Sequence, residues 1–292
     1  MADGTLTARP PTGLDAPKRQ TGSLAFRLTR AVKSPTPYLG VAGIVLFLLT
    51  WYLTTEYFKL PRFEKLPGPV EVWTEFTSRD PTFGTSIYTP DYYKHIAWSS
   101  WRVLLAFGLA TILGVPLGLF MGWKRTFKDY AFPIIEVLRP IPVLAWVPVA
   151  ILMMPGREAP IIFLAFLAAF FATTLNAMLG VESIDESYFR AARCLGAGSW
   201  SIFKRVVVPG AMPDIFTGLQ IGVGVAWFSL VAAEMVSGEH GLGFLIWDSY
   251  VLSQYPVIVI AMVTLGLVGY VYSALIRMVG RMLMGWTQRS QG

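Results

Sequence analysis

The stretch VLLAFGLATILGVPLGLFM, residues 103–121, contains no charged side chain. A helix rises about 1.5 Å per residue, so this run is long enough to cross most of a hydrocarbon core that is ~30 Å thick. Apolar and polar residues do not alternate in it, as they would in a strand of a membrane barrel. Because backbone groups in lipid must bond within their own segment, the stretch predicts a transmembrane α-helix.

Similar apolar runs occur on both sides of this stretch. They cover residues 38–57, 132–154, 160–180, 215–236 and 255–278, and the second of them is interrupted by Pro140, Pro142 and Pro148. The whole chain is 54% hydrophobic and only 14% charged, whereas soluble domains carry about 25% charged residues. The sequence therefore predicts an all-α polytopic membrane protein with six transmembrane helices.

The residues before the first run give a less definite signal. They are mostly polar. The apolar run that follows them is too long for the apolar part of a cleaved signal peptide, so we expect this run to remain as a membrane anchor. Residues 1–21 are rich in Pro, Gly and Thr, which favours disorder. Residues 24–32 could form a short surface helix with Arg27 and Arg30 toward lipid headgroups, or could belong to a solvated tail.

The distribution of Lys and Arg predicts the orientation in the membrane. If the segments between runs alternate sides, the side that holds both termini carries 16 of the 24 basic residues, and the other side carries seven. Arg139 lies inside the third run. Basic residues accumulate on the cytoplasmic side, so both termini are predicted to be cytoplasmic.

Several classes of chemistry lack the residues they need. A single cysteine, Cys194, allows no internal disulfide, and His95 and His240 are too few for a metal cluster, so no metal site is expected. The chain contains no Gly-x4-Gly-Lys-Ser/Thr phosphate loop. We therefore expect no cofactor and no catalytic residue in this chain. If transport uses ATP, a partner subunit must bind and hydrolyse it.

One segment on the cytoplasmic side, Val181–Asp214, is predicted to form a compact projection, which we call the knob. Asp185 can cap a helix that begins at Glu186, and the Gly196-Ala197-Gly198 turn ends it. Ser199 can cap a second short helix, Trp200–Arg205, which would display Trp200, Ile202 and Phe203. Two helices joined by a tight turn are suited to entering a cleft on another protein.

The knob carries a recognisable motif. FRAARCLGAGSWSIFKRVVVPGAMP, residues 189–213, resembles the cytoplasmic signature of binding-protein-dependent ABC importer permeases, which reads Glu-Ala-Ala, three residues, Gly, nine residues, Ile-x-Leu-Pro. Ala191, Ala192, Gly196 and Pro209 match at the required spacing. Arg190 stands where the family usually has Glu, which leaves the polarity of one subunit contact open. Residues 99–122, 138–151 and 217–235 are similar to the nitrate/sulfonate/taurine/bicarbonate importer permeases.

The resemblance implies an architecture and a set of partners. It implies the type I ABC importer permease fold in the inner membrane, with a second permease subunit (a homodimer), two cytoplasmic ATPase subunits that bind ATP and Mg, and a periplasmic binding protein that delivers a small anion. By motif position, the ATPase-coupling residues would be Arg190, Ala191, Ala192, Gly196, Trp200, Phe203 and Pro209. The expected parts are a cytoplasmic tail (1–37), the first span (38–58), a periplasmic segment (59–101), the permease core (102–280) with its coupling loop (181–214), and a cytoplasmic tail (281–292).

Polar and aromatic residues within the spans are candidates for the translocation pathway, because polar groups in a span usually face protein or water. Each has a structural alternative. The hydroxyl groups could bond to their own helix backbone, and Asn176 could be solvated at the interface. Glu234 could be a bonded acid that fixes the outer loop, and Arg139 could simply form an ion pair with Glu136. The tryptophans could belong to the apolar core of the membrane domain. The candidates are Arg139, Trp146, Thr173, Thr174, Asn176, Trp227, Ser229 and Glu234.

Two other classes of protein remain to be compared with an importer permease. A secondary transporter of a small organic acid would need internal repeats and in-span ionisable pairs for ion coupling. No internal repeat is evident, and the Glu136–Arg139 pair lies at the inner end of the third span. A membrane enzyme would need clustered His, Cys or carboxylate groups at one face, and none is visible. Gly114, Gly118 and Gly122, together with Gly218 and Gly222, have the Gly-x3-Gly spacing of helix-packing faces.

Overall fold

The computed structural model describes residues 35–63 and 65–284, and every regular element in that part is helical. The predicted surface helix at 24–32 and the two terminal tails fall outside it, wholly or in large part. Five of the described helices are long and apolar enough to cross a membrane, and a sixth span results if one sharply bent pair is counted as one. The chain divides into two compact units at Leu60, which are described separately.

The first unit contains one apolar helix. Helix α1, Pro35–Tyr52, continues through a π-helical turn, Leu53–Tyr57. Its apolar part, Tyr38–Tyr57, coincides with the predicted first span, and none of these residues is buried within the chain. The hydroxyl groups of Thr50 and Thr54 donate to backbone carbonyls one turn earlier, at 2.8 and 2.9 Å. These bonds satisfy the polar side chains without water, as a lipid-facing helix requires.

The second unit begins with a short outer helix. Helix α2, Pro69–Thr77, starts at a proline, which suits a first helical position because no N–H is needed there. Pro69 is the last residue of a Leu-Pro-Gly-Pro stretch, residues 66–69. The buried carboxylate of Glu75 accepts hydrogen bonds from the backbone N–H groups of Thr82 and Phe83, at 3.1 and 2.7 Å. These bonds fold the following turn back against α2.

Helix α3, Pro90–Trp123, is much longer than the apolar run that predicts it. Its 34 residues rise about 51 Å at 1.5 Å each, so it projects beyond a hydrocarbon core of ~30 Å. The residues from Pro90 to Trp101, which the sequence assigns to the outer segment, belong to the same helix.

The third apolar run forms two helices rather than one. Helix α4, Arg125–Leu138, is followed by a 3-10 turn, Val143–Trp146, and by helix α5, Val147–Met153. The two halves are bent by 88°. Pro140 and Pro142 lie between them, and each lacks the N–H that would continue a helix. The prolines therefore break the predicted span instead of only kinking it.

The remaining helices complete the second unit. They are α6, Glu158–Glu182; α7, Glu186–Cys194; α8, Ser199–Ile202; α9, Val208–Ser237; α10, Leu242–Val251; and α11, Tyr255–Leu283. A π-helical turn, Phe203–Val207, joins α8 to α9. The bounds of α6, α9 and α11 extend the predicted fourth, fifth and sixth spans by a few residues at one or both ends.

Helix α6 lies at the centre, held between α3 and α9 by their glycines. A Cβ atom on Gly118 of α3 would lie 2.2 Å from the backbone oxygen of Thr174, and one on Gly218 of α9 would lie 2.5 Å from the Cβ of Asn176. Only glycine permits backbones to approach this closely. The prediction that both Gly-x3-Gly patterns are packing faces is confirmed, and α3, α6 and α9 form one closely packed group.

Candidate functional site

The first helix of the knob has the predicted ends. Asp185 is the N-cap of α7, and its carboxylate accepts from the N–H of Ser187 at 2.7 Å. Hydrogen bonding with Ser187 lowers the pKa of Asp185, because the bond favours the ionised carboxylate. Gly196 has φ +75°, a left-handed conformation that glycine adopts without strain and that commonly ends a helix.

The second arm of the knob differs from the prediction. Gly198, not Ser199, is the N-cap of α8, with no side-chain cap bond, and the helical backbone does not stop at Arg205. It runs through the π turn into α9, where Pro209 occupies the second position. A wider turn before a proline accommodates the missing backbone donor. The second arm is therefore a continuous extension of a membrane helix.

The knob is fixed to the end of α3 by aromatic packing. The ring of Phe203 lies 4.7 Å from that of Trp123 and 5.4 Å from that of Phe120, measured between centroids. Phe203 and Ile202 are buried, so the expectation that the second helix displays them is wrong. The ring of Phe203 finds its partners on α3, which the local sequence could not show. Among the predicted coupling residues, Phe203 positions the knob and does not face outward.

The other predicted coupling residues lie at or near the surface of the knob. Trp200 is 56% exposed and stacks on Phe203, and Leu195 between the two arms is 88% exposed. Pro209 lines a cavity of about 470 Å³ together with Asp185 and Arg205. Ala191, Arg190 and Gly196 are exposed, and Ala192 is half-buried. The knob thus presents an apolar surface on a rigid base.

Replacing Phe203 with alanine is expected to loosen the knob without unfolding the helices around α6. Removing a buried phenylalanine side chain costs about 3 kcal/mol or more, and here the lost contacts are those that join the knob to α3. Limited proteolysis should then cut between residues 195 and 205 in Phe203→Ala but not in the matched variant Trp200→Ala, whose side chain is exposed. Equal resistance in both variants would contradict the anchoring role.

Two of the predicted pathway residues, Arg139 and Asn176, line one cavity. It has a volume of about 410 Å³, and its other walls come from α6, α9 and the turn after α4. The guanidinium of Arg139 lies 3.8 Å from the carboxylate of Glu136, and both side chains are about half exposed. The Asn176 amide donates to the carbonyl of Ala172 at 2.8 Å. We call this cavity the groove.

The in-span hydroxyl groups lie between helices. Thr173 donates to Ala169 of its own helix at 3.0 Å, as the structural alternative predicts. Ser229 donates instead to Leu164 of the neighbouring α6 at 3.1 Å, so that alternative is wrong for it. Thr174 is buried, and its hydroxyl has no hydrogen-bond partner among the described residues.

The two candidate tryptophans also pack against the core of the second unit. Trp227 is buried and its ring lies 5.6 Å from that of Tyr272, and Trp146 is half-buried against the same core cluster. Both indole N–H groups lack a partner among the described residues. Neither residue lines the groove.

Glu234 is the centre of a buried polar network at the end of the second unit opposite the knob. Its carboxylate accepts from Arg102 at 2.7 Å, from Ser99 at 2.9 Å and from the backbone N–H of Gly243 at 2.9 Å. Arg102 also donates two bonds to Glu158, at 2.6 and 2.7 Å. These bonds agree with the interpretation of Glu234 as a bonded acid that fixes the loop after its helix.

The turn at Gly241 is built around this acid. Gly241 has φ +128°, and a Cβ atom on it would lie 2.3 Å from the Glu234 carboxyl group. Arg102 donates to the carbonyl of His240 in the same turn. Sequence reasoning missed Ser99, Arg102 and Glu158. The only signal was a basic residue, Arg102, at the outer border of an apolar run.

With this geometry established, comparison with known proteins identifies the family. Residues 114–288 match the family described as binding-protein-dependent transport system inner membrane component. That match covers more than half of the chain. The chain belongs to this family. The permease is thus a multi-pass protein of the bacterial inner membrane, and the matched region includes both the knob and the groove.

Individual relatives agree with this assignment. The permease is 32% identical over 255 residues to the nitrate import permease protein NrtB of Synechocystis, covering 87% of this chain and 90% of the relative. It is 33% identical over 242 residues to the taurine transport system permease protein TauC of Escherichia coli, covering 83% and 86%. These relatives confirm the predicted nitrate/taurine type of ABC permease.

A solved structure supports the fold. The permease superimposes on a chain of the MetNI methionine ABC transporter in an inward-facing conformation with a TM-score of 0.57. The sequence identity is 17%, and the superposition covers 66% of this chain and 94% of the other. This likeness confirms the predicted importer-permease fold.

Proposed function

We propose that this permease forms the membrane path of an ATP-driven importer for a small anion. The observation that carries the proposal is the knob, a rigid projection with an exposed apolar surface, anchored to α3 and continuous with α9. Two cytoplasmic ATPase subunits, which hold ATP and Mg, would grip this surface. A periplasmic binding protein would deliver the substrate at the opposite end.

The construction of the second unit explains how the knob could move the helices. Glycine contacts clamp α6 between α3 and α9, and the knob is joined to both of these outer helices. A push on the knob therefore tilts the three helices together, because packed interfaces shift as units instead of deforming gradually. Tilting would expose the groove first to one side of the membrane and then to the other.

The groove favours an anionic substrate. The guanidinium of Arg139 lies at its wall, and the ion pair with the carboxylate of Glu136 is long, at 3.8 Å, and about half exposed. Guanidinium groups match the oxygen geometry of carboxylate-like anions. The other walls are mainly apolar, which suits an organic sulfonate or organic acid somewhat better than nitrate or bicarbonate.

A second copy of the permease would close the groove. Ile221 and Val225 of α9 line it and are partly exposed, and Phe228 on the same helix is 73% exposed. One chain leaves this side open, and six spans rarely enclose a polar route alone. A homodimer would bring two such faces together around one path.

Reconstitution tests the proposed function. The full-length permease, its ATPase subunits and its binding protein are placed in proteoliposomes, and uptake of labelled taurine, nitrate and bicarbonate is measured. We expect uptake of one of these anions that requires ATP hydrolysis and the binding protein. Uptake driven by an ion gradient without ATP would instead support a secondary transporter of a small organic acid.

Arg139 provides a more specific test of the groove. Replacing it with alanine is expected to reduce anion uptake about tenfold, since a hydrogen bond to a charged group contributes roughly 1.5–3 kcal/mol. Arg139→Lys, which keeps the charge, should retain most of the uptake, and Glu136→Gln serves as the matched control. If Arg139→Ala transports as well as the unmodified permease, the groove is not the path.

A further inference from the structure

The knob has one face that points away from the rest of the protein. Phe189 of α7 packs against the cluster that holds Phe203. Residues three and four apart share a helix face, so Ser187, Ala191 and Cys194 lie opposite Phe189, with Arg190 beside them. All four are exposed. We call these four residues the apex of the knob.

Arg190 is the only charged side chain of the apex. Its guanidinium lies 3.9 Å from the carboxylate of Glu186, and the two side chains are 68% and 75% exposed. An ion pair so long and so exposed contributes little and leaves the guanidinium available to another partner. Arg190 therefore offers a positive charge on an apolar surface.

Apart from Glu186, the acidic residues of the knob have partners away from Arg190, and the Asp214 carboxylate accepts from the Ser183 hydroxyl at 3.2 Å. Glu182 pairs with Lys128 at 2.6 Å, and Asp185 caps α7. Two other basic residues of the knob lie away from the apex. Arg193 is on the side of α7 near Phe189 and lines a second cavity there. The Lys204 ammonium lies 5.0 Å from the centre of the Trp200 ring. The surface that a docking protein meets is thus apolar with a positive charge.

We propose that Arg190 pairs with an aspartate or glutamate side chain of the ATPase subunit, and that this pair selects which ATPase the permease accepts. The inference rests on the proposed function, in which the knob enters a cleft on that subunit. A cleft with a basic wall would repel the guanidinium. A cleft with a purely apolar wall would leave it desolvated and unpaired. Opposite charges at such a contact determine partner choice more than total affinity.

A zero-length cross-link tests the contact directly. In Arg190→Lys the positive charge is retained as a primary amine, which a carbodiimide joins only to a carboxylate in direct contact. The assembled transporter is treated and analysed by mass spectrometry. We expect a new amide between position 190 and an aspartate or glutamate of the ATPase subunit. The matched variant Arg193→Lys, on the same helix but on the flank, should give none.

Charge reversal tests the selection. Arg190→Glu should weaken binding of the ATPase subunit roughly tenfold, and reversal of the cross-linked acid to arginine should restore it, whereas Arg193→Glu should change binding much less. Equal effects of the two reversals, or a cross-link at position 190 to no carboxylate of the ATPase, would overturn the proposal. The proposal would also be overturned if the loss of binding in Arg190→Glu depended on the fraction of anionic lipid in the membrane, because Arg190 would then contact lipid headgroups. If the unmodified permease binds no ATPase at all, it is the proposed function that fails.

Discussion

Gly118→Ala is expected to prevent normal packing of the permease. The added Cβ would meet the Thr174 backbone oxygen at 2.2 Å and the Ala177 Cβ at 2.7 Å. A backbone atom cannot turn aside as a side chain can, so α3 and α6 must separate. Overpacking typically costs about 1–3 kcal/mol and occasionally more, and a clash with a backbone atom belongs at the upper end of that range. We expect a large fall in the yield of folded protein and in the thermal midpoint of the remainder, measured in detergent.

The same helix supplies the control for this prediction. A Cβ on Gly108 meets nothing within 4 Å, and alanine is favoured over glycine in a helix by up to about 1 kcal/mol. Gly108→Ala should therefore leave stability unchanged or slightly raised. If both variants lose stability equally, the glycine contact between α3 and α6 does not exist as described.

Arg102→Met is expected to be the most damaging single change at the opposite end. It would leave the fully buried carboxylate of Glu234 without its cation, and breaking a buried ion pair from one side costs about 3–5 kcal/mol. Thermal unfolding should show a corresponding loss. Because Arg102 also holds the His240 turn, proteolysis at residues 238–241 should become faster.

The double variant Arg102→Met with Glu234→Met separates the charge penalty from lost packing. Replacing both members with apolar side chains removes the uncompensated charge, so the double variant should be more stable than Arg102→Met alone. Lys94→Met is the matched control on the same helix, because the Lys94–Asp91 pair is mostly exposed and its loss should not change the midpoint. A double variant that is less stable than the single one would contradict this account.

The features that depend on neighbouring residues were predictable from the sequence. Apolar runs located the helices, and the first span agrees with prediction at both ends. Asp185 and Gly196 marked the ends of α7, because capping is decided within a few residues. The Gly-x3-Gly spacing indicated close helix contacts, which the structure places between α6 and its two neighbours.

The features that depend on distant residues were not predictable. Arg102 and Glu234 are 132 positions apart in the chain, and neither local sequence indicates the other. The burial of Phe203 depends on the aromatic end of α3. The prolines mark the position of the 88° bend, but not its angle. The sequence indicates where a helix breaks, whereas the direction of the next helix is set by tertiary contacts.

If the knob is the contact point for the ATPase subunits, it must face the cytoplasm. Cys194, the single cysteine of the chain, lies exposed on the apex and can report on this without any mutation. The measurement is labelling of Cys194 with a membrane-impermeant maleimide in vesicles of each orientation, with Tyr88→Cys in a Cys194→Ser background as the outer control. We expect labelling of Cys194 only in inside-out vesicles, and slower labelling once ATPase subunits are bound. Labelling of Cys194 in right-side-out vesicles would contradict it.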